Sequence, residues 1–564
     1  MSEDLERTGL SRRTVITGAS AGVAGLVAAQ SGLRSRAQDA TPEPTGGQDS
    51  PASPEATPNT VGPEVPPEVT QYANDWPMAQ GNLFSDRNAA STTIDSGNVD
   101  TLGIAWELPL STQSGYGAIT SNPVVQGDTV YIIDNQGNVK ALDRETGEVR
   151  WAKDYNVDTL GPNGVAVGYG YLVSVLGDDC TVVCHMADTG DEAWRYRLSN
   201  HNALGITMAP LIYDNYVIVS TEPGGNSKGT YEGGATGVVF CLDLATGVTL
   251  WTFDTTVDQL WGNFLVNSGG GLWYPPSVDE NGVLYMGIGN AAPFPGTEEF
   301  PNASSRPGDN DYANCIVALD PNQGQLLWYL NVNPHDLLDH DNQETPVLAD
   351  VEDRKLVFTG GKHGYVVGLD RESGKEIWRT AIGTHQNDDL EELPTDDVDV
   401  FPGVLGGINS PMAYANGKVF AAAINASSSW NSTTLNYGEF SLNDATGSLV
   451  ALDALTGEVV WNVDVSTGIA GPGPTIANDI LFTGGLDGIV RAYRIDDGTL
   501  VWSYQAAAGL NAPYAIAGDM LLVPAGSFIL PSSDTEGEAP EYRTSVIAFR
   551  LGASGATPEA TPAS

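Results

Sequence analysis

One recurring pattern constrains the fold of this chain more than any other feature. It consists of a small residue, an apolar residue, Asp, three turn residues, Gly, three further residues and Trp. Complete copies end at Trp151, Trp251, Trp328, Trp378 and Trp461, and two degenerate copies, with Met186 and Arg494 at the Asp position, end at Trp194 and Trp502. Asp can accept hydrogen bonds from the turn backbone and Gly tolerates a positive φ, so each copy predicts a β-hairpin.

The Trp of each copy is a large apolar wedge suited to packing between neighbouring sheets, so many stacked copies bury what a single copy cannot. An eighth copy is split between the ends of the chain: residues 104–106 supply a Trp strand and residues 545–549 supply the strand that precedes it. Joining them would close a ring and remove exposed sheet edges. The sequence therefore predicts an all-β, eight-bladed β-propeller closed by its N- and C-terminal strands.

Charge and cysteine spacing exclude several functions. A formal net charge of −46 makes nucleic acid an unsuitable partner, because phosphate binding needs clustered Lys and Arg. The acidity serves either solubility or the steering of a basic partner protein. Cys180 and Cys184 are one residue too far apart for a C-x-x-C-H haem attachment motif with His185, and no zinc spacing occurs. A disulfide between these two and a pair of buried thiols are both compatible with the sequence.

The two ends of the chain differ in composition from the rest. Arg12 and Arg13 precede a weakly apolar stretch that ends near Leu33, which resembles a twin-arginine export signal; a retained single membrane helix is the alternative. We therefore predict an export signal over 1–37, a disordered Pro/Thr-rich linker over 38–70, the propeller over 71–552 and a disordered tail over 553–564. The predicted location is extracellular, on the cell surface or periplasmic.

Four motifs in the long gaps between tryptophans carry a resemblance to a known family. They are Gly-Gly-Gly-Leu-Trp at 269–273, Gly-Asn-Ala-Ala-Pro-Phe at 289–294, Arg-Pro-Gly-Asp-Asn at 306–310 and Pro-His-Asp-Leu-Leu-Asp at 334–339. With the Trp repeat, they resemble the pyrroloquinoline quinone (PQQ) dehydrogenases that oxidise alcohols, from about Trp76 to Leu551. The repeat alone also occurs in non-enzymatic scaffold propellers, so only the motifs point to chemistry.

The resemblance implies a role for each motif residue. Trp273 would form the floor on which the flat quinone stacks, Asn290 would bind a metal ion and Asp339 would be the catalytic base. Asp341 resembles the extra acid of lanthanide-using members, and Glu232 fits the metal-binding glutamate. The resemblance also makes Thr207, Lys362 and Asn409 contacts of the quinone.

The chemistry suits these residue types. A hard cation prefers oxygen ligands and polarises a quinone carbonyl, and a nearby carboxylate can take the alcohol proton. Each residue also has a plainer interpretation: Asp339 as a carboxylate that caps a turn, Asp341 as a solvated acid and Lys362 as a turn lysine. The sequence departs from the family at Asn163, where an arginine is usual, at Thr120, where a glutamate is usual, and in lacking the adjacent cysteine pair.

The predicted function is therefore that of an exported dehydrogenase that uses PQQ with Ca²⁺ or a lanthanide ion. It would oxidise a small alcohol or polyol to a carbonyl. Because the chain has no haem motif, its electrons would pass to an external cytochrome or other acceptor. The alternatives are a non-catalytic propeller that acts as a protein- or polymer-binding scaffold, and a lectin-like propeller that binds sugars.

Overall fold

The structure is a computed structural model that describes residues 64–554 except 113, 116, 228, 230, 434, 437–444, 466–470 and 529–540. Its main body consists of eight four-stranded antiparallel sheets, which confirms the predicted eight-bladed propeller. The export signal, most of the linker and nearly all of the tail that the sequence predicts lie outside the described residues. Within them, no helix is long and apolar enough to cross a membrane.

We number the blades 1 to 8 along the chain and name the strands of each blade A to D from the inside outwards. The strands are Val124–Gln126, Thr129–Ile133, Val139–Asp143 and Val149–Lys153 in blade 1; Ala166–Gly168, Tyr171–Leu176, Thr181–Met186 and Glu192–Arg197 in blade 2; Leu211–Tyr213, Tyr216–Ser220, Val238–Asp243 and Thr249–Asp254 in blade 3; and Ser277–Val278, Leu284–Gly287, Cys315–Asp320 and Gln325–Asn331 in blade 4. They continue as Val347–Val351, Arg354–Gly360, Tyr365–Asp370 and Glu376–Ala381 in blade 5; Ala413–Ala415, Lys418–Asn425, Thr446–Asp453 and Val459–Val465 in blade 6; Thr475–Ala477, Ile480–Thr483, Ile489–Arg494 and Leu500–Gln505 in blade 7; and Ala515–Ala517, Met520–Ala525, Ser545–Leu551 and Leu102–Pro109 in blade 8.

Smaller elements decorate these blades. They are the helices Pro67–Gln71 and Asp258–Trp261, the 3-10 turns Val99–Thr101 and Pro301–Ala303, the strand pairs Leu204–Gly205 with Glu222–Pro223 and Ser268–Gly269 with Ala291–Ala292, and a small sheet of Val398–Val400, Ser428–Trp430 and Leu435–Asn436.

Blade 8 closes the ring with both ends of the chain, as the split repeat predicts. Its outermost strand, Leu102–Pro109, pairs antiparallel with Ser545–Leu551. Trp106 lies opposite Ala548, just as Trp151 lies opposite Ala141 in blade 1. The closing strand therefore repeats the register of an ordinary blade and gives blade 8 four strands, like the other seven blades.

The repeated tryptophans join each blade to the next one. Trp378 of blade 5 donates its indole N–H to the carbonyl of Ala454 in blade 6 at 3.1 Å. A Cβ added to Gly457 would lie 2.5 Å from the same indole, so the ring needs a glycine beneath it. Trp502 is the exception, because its Nε1 is buried with no hydrogen-bond partner among the described residues. The next blade joins two chain ends, so it has no turn between strands C and D to offer a carbonyl.

Residues 76–87, which precede the strand Leu102–Pro109 in the sequence, cross the inner strands of the ring. Strand A of blades 1, 4, 5, 6 and 7 donates one backbone hydrogen bond of 2.8–2.9 Å each to this segment. The acceptors are the carbonyl oxygens of residues 76, 83, 84, 86 and 87, in the same order. Earlier in the chain, the carboxylate of Glu68 accepts hydrogen bonds from the backbone N–H groups of Tyr169 and Gly170, both at 2.9 Å. These contacts attach the last part of the range assigned to the linker, from Glu64 onwards, to blade 2.

The up-and-down course of each blade separates two faces of the ring. Hairpins between strands A and B and between strands C and D lie on one face, which carries the repeated Asp–Gly turns. Loops between strands B and C, and those that lead from strand D to the next strand A, lie on the other face. All four cysteines are buried free thiols. Cys180 and Cys184 are therefore a pair of buried thiols and not a disulfide.

Candidate active site

The residues singled out by the four motifs lie on one face of the ring. Trp273 and Asp339 lie on loops that lead into strand A of blades 4 and 5, whereas Asn290 and Lys362 follow strand B of the same two blades. The alternation of strands places all four on the face opposite the Asp–Gly turns. Residues next to strand A are also the ones nearest to the centre of the ring, because strand A is the innermost strand of each blade.

Lys362 links the charged side chains of this site. Its ammonium nitrogen lies 2.9 Å from Asp339 Oδ2 and 2.7 Å from Asp341 Oδ2, and 5.9 Å from the ring centroid of Trp273. The indole at 273 and the acid at 339 are therefore on the same side of the propeller, with one cation between them. Neither Asp339 nor Asp341 is a solvated surface acid, since both are buried.

Asn290 ties three carboxylates together. Its side-chain Nδ2 donates to Asp336 Oδ2 at 3.1 Å and to Asp339 Oδ1 at 3.0 Å. Its backbone N–H donates to Asp341 Oδ1 at 2.7 Å. These bonds fix the position of Asn290 between the loop of residues 336–341 and strand B of blade 4.

The glutamate of this site is Glu222 and not Glu232. Both lie on the loop between strands B and C of blade 3, but Glu232 is exposed, and no contact joins its side chain to these carboxylates in the described part of the chain. Glu222 is buried, and a Cβ added to Gly289 would meet its Oε1 at 2.8 Å, Asp341 Oδ1 at 3.2 Å and the Trp273 Nε1 at 3.2 Å. Only a glycine at 289 allows the three groups to approach one another so closely.

A signal for Glu222 is present in the sequence, in its position along the blade. It stands two residues after the end of strand B in blade 3, as Lys362 does in blade 5, and Asn290 stands three residues after strand B in blade 4. The glycine-rich run that follows Glu232 favours the other end of the same loop, which the structure leaves exposed and apart from the carboxylate cluster.

Burial dominates the electrostatics of the site. It raises the pKa of Asp339 to about 8, against the opposing effect of the Lys362 charge. It also raises the pKa of Glu222 well above its usual range, and the nearby Asp341 charge adds to the increase. For Lys362, burial alone would lower the pKa, but Asp339 and Asp341 raise it, so the ammonium keeps its proton.

The donor set fits a hard cation. Glu222, Asp336, Asp339 and Asp341 bring four buried carboxyl groups to the site, whereas Lys362 is the one basic side chain paired with them in the described residues. Glu222 Oε2 is buried without a hydrogen-bond partner. No three carboxylates, imidazoles or thiols of the described residues surround a common point as a ready-made metal site, because the Lys362 ammonium lies between two of the acids. Oxygen ligands with excess negative charge are what Ca²⁺ and lanthanide ions prefer.

The two remaining predicted quinone contacts lie at the edges of this cluster. Thr207 is buried, and its hydroxyl donates to the carbonyl of Leu272 at 3.4 Å, next to Trp273. Asn409 donates from Nδ2 to the carbonyl of Gly406 at 2.8 Å and accepts from Gln343 Nε2 at 3.2 Å. Both polar atoms of the Asn409 side chain therefore already have hydrogen-bond partners in the protein.

Thr120 and Asn163, where the resemblance would lead one to expect charged residues, have uncharged side chains that are bonded to the protein. The Thr120 hydroxyl donates to Asn135 Oδ1 at 2.8 Å. Asn163 Nδ2 donates to the carbonyl of Asp134 at 3.0 Å, and its Oδ1 is buried with no partner among the described residues. Both residues lie on loops leading into blades 1 and 2, so these two positions offer a hydroxyl and an amide, whereas blades 4 and 5 offer charged side chains.

A separate apolar cluster anchors the loop of residues 336–341, which carries Asp339 and Asp341. It contains Leu337 and Leu338 together with Ala303, Leu393, Val400, Val404 and Trp430. These residues come from long insertions between strands, whose extra length the spacing of the tryptophans shows but whose packing it does not. Because Leu337 and Leu338 are held in this cluster, the backbone that carries Asp339 is fixed on its N-terminal side.

Comparison with known proteins agrees with this geometry. Residues 76–174 and 193–386 match the profile of the PQQ family described as "Glucose/ethanol/alcohol dehydrogenase, beta-propeller domain", and residues 438–539 match that of "Outer membrane protein assembly factor BamB". The quinohemoprotein alcohol dehydrogenase of Comamonas testosteroni is 26% identical over 83% of this chain and 75% of its own length. The quinoprotein alcohol dehydrogenase PedH of Pseudomonas putida is 25% identical over 74% of this chain and 80% of its own length.

Solved structures share the fold. The Comamonas testosteroni enzyme superposes with a TM-score of 0.73 at 23% identity and covers 86% of this chain and 82% of its own. A europium-containing methanol dehydrogenase superposes with a TM-score of 0.70 at 20% identity, over 86% of this chain and 100% of its own. The resemblance drawn from the motifs is thereby confirmed. Since the first profile spans more than half of the sequence, the chain belongs to the PQQ family of glucose/ethanol/alcohol dehydrogenase β-propellers.

Proposed function

We propose that this chain is a PQQ- and metal-dependent dehydrogenase that oxidises an alcohol to a carbonyl compound. The observation that carries the proposal is the meeting of Asp339, Lys362 and Trp273 with three further buried acids on one face of the ring. A scaffold propeller has no need to bury several carboxylates around one lysine, because burying charge costs free energy. Family membership supports the same type of chemistry.

The protein's own side chains have distinct tasks in this reaction. Asp339 takes the hydroxyl proton of the alcohol, because it is the carboxylate that accepts a hydrogen bond from both the Asn290 amide and the Lys362 ammonium, the group that lies over Trp273. The partly exposed indole of Trp273 offers a flat apolar face for stacking. Bound PQQ with its cation would supply the two-electron acceptor and the Lewis acid that polarises it.

The proposed cation ligands are Glu222, Asn290, Asp339 and Asp341. Asp341 adds a further buried carboxylate to the three other ligands, which favours a trivalent lanthanide over Ca²⁺ by charge matching. For the quinone, the proposed contacts are Trp273 below the ring and Thr207, Lys362 and Asn409 around it. The proposed substrate is a small alcohol or polyol, as for the related alcohol dehydrogenases. Residues of the loops between the strands would select it.

The proposed electron acceptor is a separate protein such as a cytochrome. This chain has no haem attachment motif, and its charge of −46 would steer a basic partner by long-range attraction. Export through the twin-arginine signal remains part of the proposal, because such an acceptor and free alcohols are met outside the cytoplasm.

The test is reconstitution of the purified protein with PQQ and either Ca²⁺ or La³⁺. We expect the absorbance of bound quinone and reduction of an artificial dye on addition of alcohols. D339N should keep the bound-quinone spectrum and lose about 10²–10⁴-fold in turnover, as expected when a general base is removed. D188N, at an exposed turn of blade 2, is the matched control and should retain full activity. No quinone binding with either ion would overturn the proposal in favour of a scaffold, whereas a fully active D339N would overturn the assignment of Asp339 as the base.

A further inference from the structure

Asp336 is one of the four buried acids of the site, but the proposed function gives it no role. Its carboxylate accepts hydrogen bonds at both oxygens. Its Oδ1 accepts from Asn333 Nδ2 at 3.1 Å, from the backbone N–H of Leu338 at 3.0 Å and from that of His340 at 3.2 Å. Its Oδ2 accepts from the same His340 N–H at 3.1 Å and from Asn290 Nδ2 at 3.1 Å. The side chain is buried, with 1% of the residue exposed.

The first of these sets of bonds shapes the loop that carries the proposed base. Asp339 has a φ of +60°, a left-handed conformation that non-glycine residues adopt at a cost of about 1–2 kcal/mol. The N–H groups of Leu338 and His340, on either side of it, are both held by Asp336. This bonding keeps Asp339 in the conformation from which its carboxylate meets Lys362.

The Oδ2 bonds act on Asn290. The Nδ2 group of an asparagine has two protons, and here one goes to Asp336 and the other to Asp339. With Nδ2 held between these two carboxylates, Oδ1 must point away from both. Only Oδ1 can serve as a ligand to a hard cation, so the orientation of this amide decides whether Asn290 binds metal or repels it.

Arg306 supports the same arrangement from behind. Its guanidinium is fully buried and donates to the carbonyl of Asp336 at 2.5 Å, to that of Pro293 at 3.1 Å and to Asn310 Oδ1. It therefore clamps the loop after Asn290 to the loop that begins at Asp336. The two residues whose side chains must stay in register, 290 and 336, belong to loops joined by this one arginine.

We propose that Asp336 is a positioning residue of the cation site: it holds Nδ2 of Asn290, so that Oδ1 is the amide atom left for a metal ion once Asp339 exchanges its hydrogen bond from Asn290 for the cation. The inference rests on the proposed function, because it requires that a cation bind here. Outer-shell partners of metal ligands typically contribute 10–100-fold to metal affinity.

The experiment is terbium binding to the protein without quinone, followed by luminescence sensitised through nearby indole groups. D336N retains an oxygen for the Leu338 N–H but turns an NH₂ group toward Asn290, whose amide must then rotate. We expect terbium to bind 10–100-fold more weakly to D336N than to the wild type. N333A removes one bond at the other oxygen of Asp336 and should bind terbium within threefold of the wild type. Near-ultraviolet circular dichroism checks that each variant is folded.

A double-mutant cycle isolates the orientation effect from any loss of loop rigidity. In N290D the side chain has two oxygens and no wrong orientation, so D336N in that background should cost less than threefold. An equal loss in both backgrounds, wild-type affinity in D336N, or a loss in N333A as large as in D336N would overturn the positioning role alone. Absence of terbium binding to the wild type would overturn the cation site, and with it the proposed function. If D336N does not fold, D336E takes its place in the same cycle, because it keeps the charge but moves the carboxylate oxygens: terbium affinity should fall at least threefold more in the Asn290 protein than in N290D, and any smaller difference between the two backgrounds would overturn the positioning role.

Discussion

Replacing Lys362 by Met should destabilise the quinone-free, metal-free protein far more than the loss of an ordinary ion pair. Methionine keeps the length of the side chain and removes the charge that lies 2.9 Å from Asp339 and 2.7 Å from Asp341. Lys418 offers the matched control, because its ammonium lies at the same 2.9 Å from Asp496, a side chain that is 80% exposed. The two substitutions thus remove ion pairs of equal length that differ in burial.

The expected costs follow from that difference. Breaking a buried pair leaves an uncompensated charge and typically costs about 3–5 kcal/mol, whereas exposed pairs contribute about 0.2–1 kcal/mol. Loss of the ammonium also raises the pKa of Asp339 further, so protonation at neutral pH limits the loss. We therefore expect K362M to cost about 3 kcal/mol and K418M less than 1 kcal/mol.

Urea unfolding at pH 7, with the midpoint and slope recorded for each variant, measures both costs. Addition of La³⁺ gives a second readout, since an ion that binds only the folded state stabilises it by about 2.7 kcal/mol at 100 times its dissociation constant. The gain should be larger in K362M than in the wild type, because the ion no longer competes with the ammonium for Asp339 and Asp341. Equal costs for K362M and K418M, or no response of K362M to La³⁺, would refute the reasoning.

Three further expectations concern the propeller, the cation and pH. G457A should cost about 1–3 kcal/mol more in urea unfolding than G417A, because both glycines have positive φ but only at 457 would a Cβ meet an indole; equal costs would contradict tryptophan docking. E222Q should weaken terbium binding at least tenfold while E232Q leaves it unchanged, and the reverse order would restore the sequence assignment. In the metal-free protein the raised pKa of Asp339, about 8, means that its stabilising contribution is complete below its unfolded pKa and is lost as pH rises through 8. The wild type should thus lose stability relative to D339N between pH 5 and 8, by at most about 1.4 kcal/mol per pH unit, and urea midpoints that stay parallel across this range would contradict it.

The fold could be predicted from the sequence because its signal is local and repeated. Each Trp stands at a fixed distance from its own turn, so the register opposite a small residue, such as Trp106 opposite Ala548, follows from spacing alone. The unpaired Nε1 of Trp502 does not follow from its own repeat, which looks ordinary. It arises from the neighbouring blade, in which strands C and D are far apart in the sequence and are therefore not joined by a turn.

The site was only partly predictable for a related reason. Trp273, Asn290, Asp339 and Lys362 stand in motifs with distinctive neighbours, and the structure brings them together. Glu222 has no such neighbours, because what places it is the end of strand B and the absence of a Cβ on Gly289 in a different blade. The spacing after strand B marks Glu222 only once the strand bounds are known, and the contact itself joins residues on separate blades, which no local motif records.

The distribution of charge around the centre of the ring links these observations to cofactor binding. On the side of blades 1 and 2 the proposed quinone would meet Thr120 and Asn163, which are neutral and bonded to the surrounding protein. On the side of blades 3 to 5 it would meet Lys362 and an excess of buried carboxylates. Neither these uncharged side chains nor the acids neutralise an anionic cofactor with three carboxylates, so under the proposed function its binding would depend on Lys362 and on the proposed cation. In the proposed function the metal ion would therefore have two tasks, activation of the quinone and neutralisation of a site that would otherwise repel it.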